Sequence, residues 1–131
     1  MVRLLAATFL ALALAAAPAG GAPEWRQSRD VEVRLSSFDI EPGEIRLRAG
    51  EPVRLRLVNV SQGDHSFSAD DFFRAAQLRS RDARAVAGGS IDVPAGDVRE
   101  VVLAPAAGRY SARCGNFLHW ILGMRSEIIV E

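Results

Sequence analysis

The stretch Ile45–Leu57, IRLRAGEPVRLRL, alternates apolar residues with Arg on both sides of a central Gly-Glu-Pro turn. Successive side chains of a strand point to opposite faces, so this period of two predicts two half-buried β-strands. In a helix the same four Arg side chains would scatter around the circumference. The Arg rows are therefore expected to form the solvated face of a sheet, with Glu41, Glu44 and Glu51 as available cross-strand partners. A functional basic patch is the alternative.

The same alternation recurs along the rest of the chain between turn-forming residues. It predicts further short strands near residues 31–35, 66–68, 90–94, 98–103, 109–114 and 127–130. Residues 70–89 break the pattern with apolar side chains at near-helical spacing, which predicts a short helix or an irregular excursion covering a sheet edge. The whole pattern predicts an all-β fold, an antiparallel β-sandwich of seven to eight strands.

Length and composition narrow the possible functions. The chain has 131 residues, of which 49% are apolar and 24% charged, so it forms one small globular domain. Its 16 basic residues, all Arg, balance 16 acidic ones, so no nucleic-acid partner is expected. The single Cys excludes a disulfide within the chain, and two His exclude a site built on three imidazoles.

The amino end has the pattern of a targeting segment. Arg3 precedes an apolar run that ends at Ala17-Pro18-Ala19, which is typical of a cleaved secretory signal. We expect residues 1–19 to be a signal peptide, residues 20–29 a flexible linker and residues 30–131 the folded domain. This organisation predicts a periplasmic protein with no stable membrane insertion after signal removal. An uncleaved membrane anchor is the alternative, because residues 4–22 carry no charge.

The most informative chemistry lies in residues 114–124, CGNFLHWILGM, between the last two predicted strands. Cys114, His119 and Met124 are evenly spaced in it, and a loop joining neighbouring strands can bring them together. His65, the other imidazole, can close the site from another strand pair. Two imidazoles, a thiolate and a weak thioether form the ligand set of a blue-copper site, because copper cycles between a state that prefers nitrogen and one that prefers sulfur.

The ordinary alternative makes Cys114 a small core residue, His119 a surface loop residue and Met124 a packing residue. Zinc would accept Cys and His, but would need further ligands such as Asp64 or Asp70. A Cys nucleophile assisted by His119 would leave Met124 without a role. A binuclear copper centre and a multicopper oxidase are excluded, because they need more Cys or more His than the chain has.

Several segments together carry a resemblance to a known family. These are residues 38–45, 50–59, 65–67, 93–96, 108–110 and, most specifically, 114–124. The chain resembles the cupredoxins, small exported copper proteins of the plastocyanin and azurin type. The resemblance implies a two-sheet Greek-key sandwich and one type 1 copper ion, with the ligand roles falling on His65, Cys114, His119 and Met124.

The chain departs from those families at two points. Its loop spacing is C-x4-H-x4-M, whereas plastocyanins have C-x2-H-x4-M and azurins C-x4-H-x3-M. In those families an Asn usually follows the first His and steadies the ligand loop. Here Ser66 follows His65, so that role is expected to pass to Ser66 or Asn116, or to be absent.

The predicted function is one-electron transfer between larger redox proteins by Cu(I)/Cu(II) cycling, rather than enzyme catalysis. The alternative is a periplasmic copper carrier, chaperone or accessory module that delivers the ion to an oxidase or uptake assembly. We expect redox partners to dock near His119 and Trp120, where Leu122 adds apolar surface, and we expect a monomer. Four apolar side chains of the loop are also expected to exclude water from the metal: Phe117, Trp120, Ile121 and Leu122.

Overall fold

The computed structural model describes residues 21–116, 118 and 121–131. The predicted signal peptide and the predicted ligand His119 lie outside these residues. The described chain forms ten strands, one α-helix and two 3-10 helices: β1 (Arg29–Leu35), β2 (Ile40–Glu41), β3 (Glu44–Leu47), β4 (Val53–Asn59), β5 (His65–Ser68), α1 (Asp70–Ala75), β6 (Gln77–Leu78), β7 (Ser90–Val93), β8 (Val98–Ala104), β9 (Gly108–Arg113) and β10 (Arg125–Val130), with 3-10 helices at Trp25–Gln27 and Ser80–Val86.

The strands form two five-stranded sheets, which confirms the predicted β-sandwich. The first sheet has the order β2-β1-β4-β8-β6 and the second the order β3-β10-β9-β5-β7. The strand number exceeds the prediction because β2 and β6 have two residues each, too few to show a period. Two pairs, β1 with β4 and β3 with β10, are parallel rather than antiparallel. Parallel pairing arises because the chain crosses between the sheets on either side of β3.

The Arg side chains of β4 lie on the outer face of the first sheet, as the alternation predicts. Arg54 pairs with Asp30 of β1 at 3.0 Å, and Arg56 pairs with Glu32 and Glu100 at 3.5 and 3.2 Å. Of the predicted partners, Glu44 pairs with Arg46 and Glu51 pairs with Arg29. The inward residues Val53, Leu55 and Leu57 are buried in the core between the sheets.

The excursion predicted for residues 70–89 combines α1, β6 and the second 3-10 helix. Phe72 and Phe73 of α1 are buried, and the Phe72 ring contacts Tyr110 of β9 edge-on at a centroid distance of 5.5 Å. The two-residue β6 pairs with β8 at the edge of the first sheet. The excursion therefore covers a sheet edge and adds aromatic side chains to the core.

One end of the sandwich gathers the loops that matter for function. Strands β1, β4, β7 and β9 end there, and β5, β8 and β10 begin there. We call this the site end and define it by the loops 36–39, 60–64, 94–97 and 114–124. No helix in residues 21–116, 118 and 121–131 has the length and apolar character that a membrane span requires.

Candidate metal centre

Strand β9 delivers Cys114 to the site end. Ala112 points into the core, and Cys114, two residues later, is also buried with 1% of its surface exposed. Its N–H donates to the carbonyl of Met124 at 3.1 Å, which closes the loop just before β10 begins. Met124 is completely buried. The loop thus folds back on itself, and Cys114 and Met124 both belong to the buried core.

His65 reaches the same place from another strand pair. It is the first residue of β5, it lies opposite Val93 of β7, and it alternates with the buried Phe67. Only 5% of its surface is exposed, and its Nδ1 lies 3.8 Å from Sγ of Cys114. The structure therefore brings together His65, Cys114 and the segment that ends at Met124.

The separation of these two atoms fits a shared metal ion. In zinc sites the metal lies about 2.0 Å from an imidazole nitrogen and about 2.3 Å from a thiolate sulfur, so an angle near 120° separates the two donors by about 3.7 Å. The observed 3.8 Å agrees with such an arrangement. Nitrogen and sulfur donors together suit copper better than Mg²⁺ or Ca²⁺, which prefer oxygen.

The structure shows how the ligand loop is tied to β5. Ser66 Oγ accepts a hydrogen bond from the Gly115 N–H at 2.7 Å and lies 4.0 Å from the sulfur of Cys114. A side chain at Gly115 would bring its Cβ to 2.8 Å from Ser66 Oγ, so another residue here would require the Ser66 side chain or the loop to shift. Asn116 instead accepts a hydrogen bond from the Leu118 N–H within the loop. Of the two residues considered from the sequence, Ser66 links the loop to the strand that carries His65.

A second polar residue at the site end was missed by the sequence analysis. Asn59, the last residue of β4, is 1% exposed and hydrogen-bonds to the loop that precedes His65 and to Val93. The signal was present in the alternation, because residue 59 has the same inward parity as Leu55 and Leu57. A polar residue at an inward position needs buried partners.

Carboxylates do not complete the site within the described part of the chain. No three His, Cys, Asp or Glu side chains cluster among residues 21–116, 118 and 121–131. Asp64 accepts a hydrogen bond from the Ala95 N–H, and Asp70 pairs with Arg74. These contacts give no support to zinc bound through Asp64 or Asp70. The burial of Cys114 also argues against a nucleophile, which needs access to a substrate.

Several large apolar side chains are exposed at the site end. Within the described residues, the large apolar side chains that remain exposed are Phe38, Val60, Leu118, Ile121 and Leu122. All five belong to loops of the site end. Ile121 and Leu122, at 57% and 62% exposed, thus form surface rather than the water-excluding shell expected of them. Phe117 and Trp120, the other members expected in that shell, lie outside the described residues.

The sandwich of two five-stranded sheets has the fold of solved auracyanin structures. The match to auracyanin B covers 85% of this chain and 91% of that one. The two share 22% sequence identity, and the TM-score is 0.57. The match to dithionite-reduced auracyanin from the photosynthetic bacterium Roseiflexus castenholzii covers 79% of this chain and 98% of that one, with 18% sequence identity and a TM-score of 0.58.

Auracyanin A, a "blue" copper protein of the green thermophilic photosynthetic bacterium Chloroflexus aurantiacus, is also similar. The two share 21% identity over 78% of this chain and 99% of that one, with a TM-score of 0.51. The sequence matches no protein-family model and no curated protein. At these identities the comparisons establish the fold.

Proposed function

We propose that this chain is an exported mononuclear type 1 copper protein that carries single electrons between larger redox proteins. The proposed ligands are His65, Cys114, His119 and Met124. The observation that carries the proposal is the 3.8 Å separation of His65 Nδ1 and Cys114 Sγ inside a buried end of the sandwich. The fold shared with auracyanin A, a blue copper protein, supports the same conclusion.

Each ligand has a distinct role in this proposal. A bound copper ion would supply the one-electron Cu(I)/Cu(II) couple. Cys114 provides the strongly bound thiolate, His65 and His119 provide nitrogen donors suited to both charge states, and Met124 provides a weak thioether donor that adjusts the potential. The burial of Cys114 and Met124 keeps water from the sulfur side of the site.

The surrounding hydrogen bonds support rapid electron exchange by keeping the donors in place. The Cys114 N–H bond to Met124 O fixes the two ends of the ligand loop. The Gly115 N–H bond to Ser66 Oγ fixes the loop to the strand of His65. Donors held in this way need to move little when the charge of the metal changes, which lowers the cost of electron transfer.

We further propose that redox partners dock on the apolar surface of the site end, near His119 and Trp120, and that the protein acts as a monomer. The exposed Leu118, Ile121 and Leu122 support this location. An apolar contact area with a polar rim is typical of such interfaces. The ion pairs of β1, β4 and β8 lie on the outer face of the first sheet, away from this surface.

Residues 1–19 are proposed to direct export to the periplasm and to be removed, leaving a linker of residues 20–29 before the domain. Amino-terminal sequencing of the protein recovered from a periplasmic fraction tests this part. We expect the mature chain to begin near Gly20. Recovery of chains that retain residues 1–19 in the membrane fraction would instead show an anchored protein.

The central test adds Cu(II) to the purified mature protein. We expect one copper ion per chain and an intense visible band from thiolate-to-copper charge transfer. Ascorbate should bleach this band by reducing Cu(II), and ferricyanide should restore it by oxidising Cu(I). Absence of this band contradicts the proposal. Transfer of the metal within seconds to a Cu(I) chelator of moderate affinity, in place of stable redox cycling, would favour copper delivery over electron transfer.

A further inference from the structure

Asn59 is a buried polar residue on the inward face of β4, where the other side chains belong to the apolar core. Its inward neighbours Val53, Leu55 and Leu57 are apolar, whereas Asn59 places an amide at the site end with 1% of its surface exposed. Burial of an amide is costly unless its hydrogen-bonding groups are satisfied. The contacts that satisfy it therefore indicate what this residue does.

Every hydrogen-bonding group of the Asn59 side chain has a partner. Nδ2 donates to the carbonyls of Gly63 and Val93 at 2.8 and 2.9 Å. Oδ1 accepts from the N–H and the hydroxyl of Ser61 at 3.0 and 2.8 Å. Two donors and two lone pairs are the full capacity of an Asn side chain. The arrangement fixes the orientation of the amide uniquely.

These partners surround His65 in the chain and in the sheet. Gly63 lies two residues before His65, in the loop that leads into β5. Val93 is the residue directly opposite His65 in the pairing of β5 with β7. Because Asn59 belongs to the first sheet and Val93 to the second, one side chain links the two sheets at the point where His65 begins its strand.

We infer that Asn59 is a positioning residue for His65. It holds the incoming loop through Gly63 and the opposite strand through Val93, so the His65 ring is directed towards Cys114 before any metal binds. The role of His65 as a copper ligand rests on the proposed function, whereas the positioning of the His65 ring by Asn59 does not require a metal. An apolar side chain of similar size would fill the space without holding either carbonyl.

The experiment compares three variants. Asn59→Ala removes the whole network, and Ser61→Ala removes only the hydroxyl, which lies in a partly exposed turn and leaves both Nδ2 bonds intact. Tyr110→Phe is the matched control, because its hydroxyl donates to Ala106 O at 2.9 Å at the opposite end of the sandwich. Each variant is studied copper-free by NMR and copper-loaded by paramagnetic resonance and affinity measurement.

In the copper-free protein we expect the His65 ring signals, distinguished from those of His119 by a His119→Gln variant, to shift and broaden strongly in Asn59→Ala. A smaller change is expected in Ser61→Ala and none in Tyr110→Phe. In the loaded protein, Cu(II) affinity should fall about 10-fold in Asn59→Ala, with an altered copper hyperfine splitting, as for other residues that support a ligand.

Two results would overturn the inference. One is an Asn59→Ala protein that loses stability but keeps the wild-type His65 signals and copper spectrum. The other uses a fourth variant, Asn59→Asp, for the case in which Asn59→Ala fails to fold. Asp keeps the size of the side chain and its Oδ1 but lacks the Nδ2 donor to Gly63 and Val93, so wild-type His65 signals in Asn59→Asp would contradict the inference. If the wild-type protein shows no blue band, the proposed function fails, but the copper-free NMR comparison still decides the role of Asn59.

Discussion

Polar side chains are exposed to solvent on the outer face of β4 but buried at the site end of the sandwich. On β4, Arg54 and Arg56 point to solvent and pair with carboxylates whose side chains are also exposed. At the site end, His65, Cys114 and Asn59 point inward and are almost completely buried. The same alternation of a strand produces both arrangements, because it sends every second side chain to each face.

The difference shows where stability and function are sensitive to change. Exposed ion pairs contribute about 0.2 to 1 kcal/mol each, because solvent already stabilises both charges. Buried polar groups carry the full desolvation cost of any partner they lose, about 1 to 3 kcal/mol. The alternating Arg residues are therefore easy to recognise in the sequence, but replacing one of them should change stability little. The few buried polar residues of the site are harder to recognise, and replacing one of them should cost more.

Cys114→Ser gives the largest expected effect on the site. The substitution keeps the shape of the side chain but replaces the soft sulfur with oxygen, so the visible band of the copper-loaded protein should disappear completely. Absorption and paramagnetic resonance spectra measure this loss, and circular dichroism of the copper-free protein should remain that of the wild type. Retention of the full band would remove Cys114 from the site.

Gly115→Ala tests how tightly the ligand loop lies against β5. The added Cβ would lie 2.8 Å from Ser66 Oγ, so the Ser66 side chain must rotate and lose its bond to the Gly115 N–H, or the loop must move. We expect a loss of about 1 to 3 kcal/mol in the free energy of unfolding of the copper-free protein, which is typical of overpacking. Chemical denaturation measures it.

The double variant Ser66→Ala/Gly115→Ala provides the control, because it removes the oxygen that the new Cβ meets. It should recover part of the stability lost in the single variant while still lacking the Gly115 N–H bond to Ser66. A Gly115→Ala protein as stable as the wild type would show that the loop does not lie against Ser66.

Met124→Leu is expected to change the potential more than the stability. The two side chains have similar volumes, so the free energy of unfolding should change by less than about 1.5 kcal/mol. Loss of a weak donor that stabilises Cu(II) should raise the reduction potential while the colour persists. Voltammetry of the loaded protein checks this, and an unchanged potential would show that Met124 is not the weak donor.

Arg56→Ala tests how much the exposed ion pairs on the outer face of β4 contribute to stability. Arg56 contacts Glu32 and Glu100 with 44% of its own side chain exposed, so its loss should cost no more than about 1 kcal/mol of unfolding free energy. The difference from the wild type should shrink in 1 M salt, where exposed charges are screened. The copper spectrum should not change, and a changed spectrum would show that the outer face is coupled to the site.

Asp97→Asn should give the smallest effect, and only through pH. The Val98 N–H bond and then the Arg99 guanidinium lower the pKa of Asp97 below its ordinary value of 3.8. A carboxylate with a lowered pKa adds stability above its unfolded-state pKa and loses it as the pH falls through the folded-state pKa. The wild type should therefore lose slightly more stability than Asp97→Asn below pH 3.8, as measured by thermal unfolding.

The sequence alone predicted the strand character of β4 and β8, the break at residues 70–89 and the closure of the 114–124 loop. Each of these depends on local pattern or on neighbours in the chain, which periodicity records directly. The inward parity of Asn59 was equally visible, but its meaning depends on Val93 in the other sheet. Ser66 had been one of two choices, and only its contact with Gly115 distinguished it from Asn116.

The tertiary structure decided how the strands combine. The alternation predicts β3 and β4 on either side of the Gly-Glu-Pro turn, yet it does not show that they belong to different sheets or that β1 pairs with β4 in parallel. Alternation fixes which side chains share a face, because that is a property of a single extended chain. Pairing partners and the 3.8 Å approach of His65 to Cys114 depend on how both sheets bury their apolar faces together, which no short segment encodes by itself.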